Sequence, residues 1–162
     1  MWFIKSQNQM ALKTGDPVPE IALPDERGVI RKSKDLKGKN LVLFFYPKDD
    51  TPGCTAEACG FRDNYDLFKI FGAEVWGVSS DNQESHVRFI EKNKLPFPLL
   101  SDIDNKLREA FGVPKALGII PGRVTYVIDG KGIIRHIFNN LLNSPEHINE
   151  ALRILEEIKS NQ

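Results

Sequence analysis

An apolar run from Leu41 to Tyr46 leads, within a few residues, into a helical pattern that carries both cysteines of the chain. The run has the length and composition of a buried β-strand. In the segment after it, apolar side chains recur at steps of three and four, at Ala58, Phe61, Tyr65 and Phe68. We expect this helix to continue to about Phe71 and to end at Gly72. A buried strand joined directly to a helix favours an α/β fold.

The rest of the chain continues the alternation of strands and helices. A strand is predicted over Glu74–Ser79, followed by a helix that a capping box at Asp81 and Glu84 opens, that buries Val87 and Ile90 and that runs to about Asn93. An extended connection from Leu95 then leads to a short helix from Asp104 to Phe111. The chain closes with a hairpin of strands Val124–Ile128 and Ile133–Phe138 and a last helix capped by Ser144, Pro145 and Glu146. The alternation predicts parallel strands, and the closing hairpin adds an antiparallel edge. This is the thioredoxin-like plan, a mixed central sheet with helices on both faces.

At 162 residues the chain is long enough for one domain with a substantial core. We expect a flexible N-terminal tail over residues 1–13 and a single domain over residues 14–162. The 22 basic residues balance the 22 acidic ones, so no basic field predicts binding to nucleic acid or to an anionic membrane. No apolar run approaches the roughly 18–20 residues of a transmembrane helix. The first ten residues lack a secretory signal, which favours a cytoplasmic location, or a chloroplast stroma for a processed form.

Cys54 stands in the first turn of the predicted cysteine helix, directly after Thr51, Pro52 and Gly53. A thiol at a helix N-terminus faces unpaired backbone N–H groups and the positive end of the helix dipole. Such surroundings favour the thiolate form of a cysteine. The position of Cys54 therefore points to thiol chemistry.

Cys59 lies five residues after Cys54, a spacing that an intact helix cannot bridge with a disulfide. Five helical residues separate two Cα atoms by roughly 8.6 Å. A disulfide needs its Cα atoms within about 7 Å of each other. If the two cysteines bond, the start of the helix must therefore unwind.

Other interpretations of the cysteines remain open on spacing alone. Cys59 is also explained as a small buried residue. A zinc site or a Cys–His dyad finds little support, because His86, His136 and His147 show no ligand spacing near either cysteine. The Cys-x-x-Cys motif of dithiol oxidoreductases is absent. Thr51, similarly, is either the N-cap of the helix or a hydroxyl that hydrogen-bonds an oxygen substrate beside the thiolate.

The pattern Pro47-x-x-x-Thr51-x-x-Cys54 resembles the active-site signature of the peroxiredoxins. The position of Cys59 resembles the bacterioferritin-comigratory-protein group, also called peroxiredoxin Q. The flanking segments Phe44-Phe45-Tyr46 and Pro121-Gly122-Arg123 agree with this group. The resemblance covers roughly residues 14–158.

The resemblance implies a role for five residues. Cys54 resembles the peroxidatic cysteine, Thr51 the residue that hydrogen-bonds the peroxide, Arg123 the arginine that stabilises the thiolate, Pro47 the proline that shields it, and Cys59 the resolving cysteine. The implied reaction is reduction of hydrogen peroxide and organic hydroperoxides through a Cys54 sulfenic acid and a Cys54–Cys59 disulfide, which thioredoxin or a similar dithiol reduces. The resemblance implies no cofactor and no metal ion, and members of the group are often monomers.

Three charged residues also have interpretations that involve no contact with a substrate. Glu57 either orients Arg123 or merely adds a favourable charge to the first helical turn. Arg62 is expected to form a surface ion pair on the helix. Without the resemblance, Arg123 itself is best explained as a solvated residue at a strand edge.

Two other functions compete with peroxide reduction. A thioredoxin-fold disulfide reductase would act on protein disulfides without peroxide, although it normally needs the missing Cys-x-x-Cys motif. A redox sensor would use oxidation to unwind the cysteine helix and change a binding surface.

Overall fold

The computed structural model describes residues 11–162, so most of the tail predicted over residues 1–13 lies outside the described residues. The strands are β1 (Ala22–Pro24), β2 (Ile30–Lys32), β3 (Asn40–Phe45), β4 (Ala73–Ser79), β5 (Leu99–Ser101), β6 (Val124–Ile128) and β7 (Ile134–Asn139). The α-helices are α1 (Pro52–Asp63), α2 (Tyr65–Ile70), α3 (Gln83–Asn93), α4 (Lys106–Phe111) and α5 (Ser144–Ser160), and a short 3₁₀ helix spans Ser33–Leu36. None of the described helices is long and apolar enough to cross a membrane.

Five strands form the central sheet in the order β5-β4-β3-β6-β7. Strands β3, β4 and β5 are parallel, whereas β6 is antiparallel to β3 and to β7. The hairpin β1–β2 forms a separate two-stranded sheet. The predicted mixed sheet is therefore confirmed.

Alternate residues of β3 supply two apolar cores on opposite faces of the sheet. Val42 and Phe44 belong to the first core, together with side chains of α1, α2, α3 and α5. Leu41, Leu43 and Phe45 belong to the second core, together with side chains of α4. Helices thus cover both faces of the sheet, as predicted. The carboxyl end of β3 leads through a short connection into α1, the helix that carries Cys54.

The cysteine helix differs from its prediction because it is two helices. The first, α1, ends at Asp63, and α2 begins at Tyr65. Between them Asn64 leaves the helical conformation, and its side-chain amide donates to the Gly60 carbonyl oxygen at 2.9 Å. The apolar spacing of Phe61, Tyr65 and Phe68 continues across the break and conceals it in the sequence.

The predicted capping box at Asp81 and Glu84 is also wrong. Asn82 caps α3, accepting from the Ser85 backbone N–H at 2.9 Å. Asp81 instead accepts from the Ser79 hydroxyl at 2.6 Å. The buried face of α3 also differs from its prediction, because His86 and Phe89 are buried whereas Val87 and Ile90, predicted as core, are only half-buried.

Three smaller differences concern element ends. The connection predicted from Leu95 contains β5, which pairs with β4. The short helix begins at Lys106 rather than Asp104. The cap of α5 is Asn143, which accepts from the Glu146 backbone N–H at 3.4 Å, so Ser144 is the first helical residue.

Candidate active site

Cys54 is the third residue of α1 and is 1% exposed. Thr51 precedes the helix as its N-cap, and Pro52 is the first helical residue. The Thr51 hydroxyl does not cap the helix; it donates to the Lys48 carbonyl oxygen at 2.9 Å. The Thr51 hydroxyl oxygen therefore accepts no hydrogen bond from the helix N-terminus, although the sequence had suggested this capping role.

Arg123 precedes β6 and is 4% exposed, so its interpretation as a solvated edge residue is wrong. Its guanidinium holds three partners in different directions. Nη2 lies 3.5 Å from the Cys54 Sγ, Nη1 donates to the Glu57 Oε1 at 2.7 Å, and Nε donates to the Leu141 carbonyl oxygen at 2.8 Å. Burial opposes the charged form, but Glu57 and Cys54 together raise the pKa of Arg123 above its usual value. Arg123 is therefore a fixed cation beside the sulfur.

Arg108, on α4, is a buried residue that the sequence did not indicate. Its Nη2 donates to the Tyr46 carbonyl oxygen at 3.0 Å and its Nη1 to the Gly122 carbonyl oxygen at 2.8 Å. Burial lowers the pKa of Arg108, against the attraction of Asp102. The two hydrogen bonds join the end of β3 to the residue before Arg123, so Arg108 fixes the backbone that positions the active-site arginine.

Glu57 is fully buried on α1, beyond the first turn. The suggestion that it merely adds charge to that turn is therefore wrong, whereas its ion pair with Arg123 agrees with the orienting role. Burial raises the pKa of Glu57 to about 7, although the Arg123 charge pulls in the opposite direction. Only one carboxylate oxygen meets Arg123; the other, Oε2, has no hydrogen-bond partner.

His147, on α5, lies behind Glu57 and was also missed from the sequence. Its Nδ1 is 3.4 Å from the Glu57 Oε2 and 2.8 Å from the Thr125 hydroxyl, and its Nε2 is 2.7 Å from the Asn140 carbonyl oxygen. Burial lowers the pKa of His147 to about 4, against the Asn140 hydrogen bond. No local sequence signal connects His147 with Glu57, because 90 positions separate them.

Cys59 is half-buried on the opposite side of α1, and both cysteines are free thiols. Its Sγ lies 3.7 Å from the Asn93 side-chain oxygen at the end of α3. Arg62 donates to the Asn93 carbonyl oxygen at 2.7 Å and also pairs with Asp63, as the predicted surface ion pair requires. The intact helix α1 thus holds Cys59 against α3 and away from Cys54.

Pro47 is half-buried in the segment between β3 and α1. A buried network fixes this segment, because the Asp49 carboxylate accepts from the Tyr46 hydroxyl at 2.5 Å, from the Ser85 hydroxyl at 2.8 Å and binds the His86 Nδ1 at 2.7 Å. Asp49, Asp81 and His86 are also the one group with metal-ligand spacing among the described residues. Since hydrogen bonds already occupy the Asp49 oxygens, we interpret the cluster as a structural network.

Comparison with known proteins places this geometry in a family. The model of the AhpC/TSA family matches residues 14–137. A chloroplastic peroxiredoxin Q of Sedum lineare is 48% identical over 146 residues, which cover 90% of this chain and 78% of that protein. A chloroplastic peroxiredoxin Q of Triticum aestivum is 48% identical over 145 residues, which cover 89% of this chain and 67% of that protein.

Solved structures agree with the sequence comparisons. The peroxidoxin BcpB of Mycobacterium tuberculosis superposes with a TM-score of 0.83 at 36% identity, over 91% of this chain and 98% of that chain. A peroxiredoxin Q of Xanthomonas campestris superposes with a TM-score of 0.79 at 32% identity, over 84% of this chain and 89% of that chain. The chain therefore belongs to the AhpC/TSA family and, within it, to the peroxiredoxin Q group of thiol-dependent peroxidases.

Proposed function

We propose that Cys54 is the peroxidatic cysteine of this thiol-dependent peroxidase and that Cys59 is its resolving cysteine. The observation that carries the proposal is the 3.5 Å contact between the Arg123 Nη2 and the Sγ of Cys54, a residue that is 1% exposed. A buried guanidinium favours the thiolate over the thiol, and thiolate is the form that attacks a peroxide.

In the first step the Cys54 thiolate attacks the terminal oxygen of a hydroperoxide. A sulfur–oxygen bond forms, the oxygen–oxygen bond breaks, and the departing oxygen leaves as water or an alcohol after it gains a proton. Arg123 stabilises the charge that moves from sulfur to the departing oxygen. Thr51 offers its hydroxyl lone pairs to the hydrogen of the peroxide, and Pro47 limits access of water to the sulfur.

In the second step the Cys59 thiol condenses with the Cys54 sulfenic acid, releasing water and forming a disulfide. Because α1 holds the two residues a turn and a half apart, the start of the helix unwinds first. A dithiol reductant then restores both thiols by exchange. The family implies a thioredoxin-type reductant.

Domain organisation, oligomeric state and location are proposed as well. We propose that residues 14–162 act as a single domain and that the protein is a monomer, with a cytoplasmic location. The plant relatives are named as chloroplastic proteins, which supports a stromal location for a processed form. The Xanthomonas campestris bacterioferritin comigratory protein, whose structure was studied for its alkyl peroxide reduction, supports organic hydroperoxides as substrates.

A single-turnover experiment tests the assignment of both cysteines. Reduced protein is mixed with one equivalent of hydrogen peroxide in a stopped-flow instrument, and the product mass is determined. We expect rapid formation of a Cys54–Cys59 disulfide, no reaction of Cys54→Ser, and a Cys59→Ser variant that stops at the sulfenic acid. Full cycling of Cys59→Ser with a protein dithiol would contradict the resolving role of Cys59. Slow oxidation that no dithiol reverses would favour the redox sensor instead.

A further inference from the structure

The buried carboxylate of Glu57 has one oxygen that the peroxide mechanism does not use. Oε1 accepts from Arg123 at 2.7 Å, but Oε2 has no hydrogen-bond partner and lies 3.4 Å from the His147 Nδ1. An unpaired charged oxygen in a protein interior is costly. The burial of an unpaired Glu57 oxygen beside His147 therefore requires a physical explanation.

The hydrogen bonds of His147 determine which ring nitrogen carries hydrogen. Its Nε2 lies 2.7 Å from the Asn140 carbonyl oxygen, which only accepts, so Nε2 is the donor. Burial lowers the pKa of His147 to about 4, so the ring is neutral near pH 7 and Nδ1 presents a lone pair. The Thr125 hydroxyl lies 2.8 Å from Nδ1 and donates to this lone pair whenever Glu57 carries no proton for it.

When Glu57 is ionised, its Oε2 and the His147 Nδ1 therefore bring two lone pairs within 3.4 Å of each other with no hydrogen bond between them. A proton on Oε2 turns this repulsion into a hydrogen bond. Burial also raises the pKa of Glu57 to about 7, which makes the protonated acid accessible at neutral pH. The structure thus contains a site for one extra proton behind Arg123.

The charges around Cys54 give this proton a function. Arg123 is the one cation, among the described residues, that hydrogen-bonds both Cys54 and Glu57. Arg108 on α4 donates to two carbonyl oxygens, and its charge acts through space on Asp102, on Tyr126 and on Cys54. Cys54 thus has two buried arginines near it, whereas Arg123 is the one described cation that acts on the buried Glu57, so Glu57 is the acid that retains its proton when Cys54 is a thiolate.

We propose that the Glu57–His147 pair stores the proton that Cys54 gives up when it becomes a thiolate. His147 acts as a positioning residue through Glu57, and Thr125 satisfies its Nδ1 when the stored proton leaves. The use of this proton in peroxide reduction rests on the function proposed above for Cys54.

The stored proton balances the oxidation step. Before the reaction the pocket holds a Cys54 thiolate and a Glu57 carboxylic acid; afterwards it holds a neutral sulfenic acid and a Glu57 carboxylate. The departing oxygen of the peroxide takes up one proton, and Glu57 releases one. Sulfur is oxidised by two electrons, the peroxide is reduced by two electrons, and the solvent supplies no net proton.

The first test uses reduced protein without peroxide, so it is independent of the peroxidase activity. Infrared spectra and ultraviolet thiolate absorbance are recorded across a pH titration of the Cys59→Ser background, where only Cys54 contributes thiolate. We expect a buried carboxylic-acid C=O band at the same neutral pH at which Cys54 is thiolate. The band should be absent from Glu57→Gln and present in Glu84→Gln, a control on the exposed start of α3. An ionised Glu57 beside a Cys54 thiolate, or no thiolate at neutral pH, would overturn the proposal.

Thr125→Val is a nearly isosteric variant for the same titration. Removing its hydroxyl leaves the His147 Nδ1 with the Glu57 proton as its one remaining partner, so the proton is held more firmly. We expect half-formation of the thiolate at a lower pH, and no such effect of Thr125→Val in a Glu57→Gln background. A purely structural role would shift the titration equally in both backgrounds, and that result would refute the coupling.

The second test measures proton uptake from a weakly buffered solution while peroxide converts the protein to its disulfide. We expect uptake near zero for the wild type and about one proton per disulfide for Glu57→Gln. Equal uptake by the two proteins would overturn the proposal. If no disulfide forms, the proposed function fails, while the infrared titration still decides whether the proton is stored.

Discussion

Gly53 packs so closely on Arg123 that a β-carbon at position 53 would lie 2.9 Å from the Arg123 Nη2. That nitrogen is the one in contact with the Cys54 Sγ. The carbonyl oxygen of Gly53 also accepts from the Ser144 hydroxyl at 2.8 Å, so α5 holds the backbone of this glycine in place. The missing side chain at position 53 is therefore what allows guanidinium and sulfur to meet.

A Gly53→Ala variant should fold normally and oxidise slowly. Alanine stabilises a helix relative to glycine by up to about 1 kcal/mol, but here its methyl group displaces Arg123 from the sulfur. Gly60→Ala is a matched control on the same helix, since its β-carbon would meet Ile148 rather than Arg123. We expect Gly53→Ala to reduce the rate of Cys54 oxidation by peroxide at least about tenfold. Gly60→Ala should change stability and leave that rate near its wild-type value.

Arg123→Lys should lose most of the peroxidase rate although the positive charge is retained. A lysine ammonium cannot reach Cys54, Glu57 and the Leu141 carbonyl oxygen in three fixed directions as the guanidinium does. Loss of one preorganised donor typically costs about 10²–10³ in rate, and we expect a reduction of this order in stopped-flow oxidation. Arg135→Lys, at an exposed arginine paired with Asp129, serves as the control. An unchanged rate in Arg123→Lys would show that charge alone is sufficient.

Asn93→Ala should accelerate the second step of the cycle and leave the first unchanged. The Asn93 side chain holds the Cys59 Sγ at 3.7 Å while α1 is intact. Thiol hydrogen bonds are weak, so a gain of about 0.5–1 kcal/mol corresponds to a roughly two- to fivefold faster disulfide formation. Quenched-flow mass analysis separates the two steps, and Asn149→Ala on α5 is the control. Slower disulfide formation would mean that Asn93 guides Cys59 rather than restraining it.

The stability of the reduced protein should respond to pH through Glu57. Burial raises the pKa of this carboxyl from 4.5 to about 7, so its contribution to stability is complete below about pH 4.5 and is lost as the pH rises through 7. The loss amounts to at most roughly 3 kcal/mol. Glu57→Gln has no such loss, so its unfolding free energy should rise relative to the wild type between these pH values. Urea unfolding at successive pH values measures the difference, and a constant difference would contradict the raised pKa.

His147 should produce the opposite dependence in an overlapping range. Burial lowers its pKa from 6.5 to about 4, so its contribution is complete above about pH 6.5 and is lost as the pH falls through 4. Replacing His147 with Gln should therefore protect the protein against acid relative to the wild type. His136→Gln, which alters a histidine on β7, is the matched control in the same urea series. Equal acid sensitivity of the His147 variant and the wild type would be inconsistent with a buried neutral ring.

The elements that were predicted correctly depend on contacts within one segment or its immediate neighbours. Strand β6 was predicted over Val124–Ile128 and is found there, because its apolar run and the following turn are local signals. The break at Asn64 was missed because the apolar spacing continues through it. The buried face of α3 was missed because His86 is satisfied by Asp49, which lies 37 positions earlier.

The residues of the active site also divide into those that local sequence indicates and those that distant segments contribute. Pro47, Thr51, Cys54 and Cys59 lie within one short segment. Their roles were predicted because their spacing resembles a known signature. Arg108 and His147 act on the site from α4 and α5, and nothing near them in sequence distinguishes either from an ordinary helical residue. Their partners, a backbone carbonyl in one case and an unpaired carboxylate oxygen in the other, are brought to them only by the fold.

The unequal exposure of the two thiols has a practical consequence for chemical labelling. Cys54 is 1% exposed, whereas Cys59 is half-buried at the surface of α1. A bulky maleimide or a fluorescent tag therefore modifies Cys59 first, even though a small peroxide reaches Cys54. Proteomic surveys that rank cysteines by their capture with large probes would then assign the reactivity of this protein to the wrong sulfur.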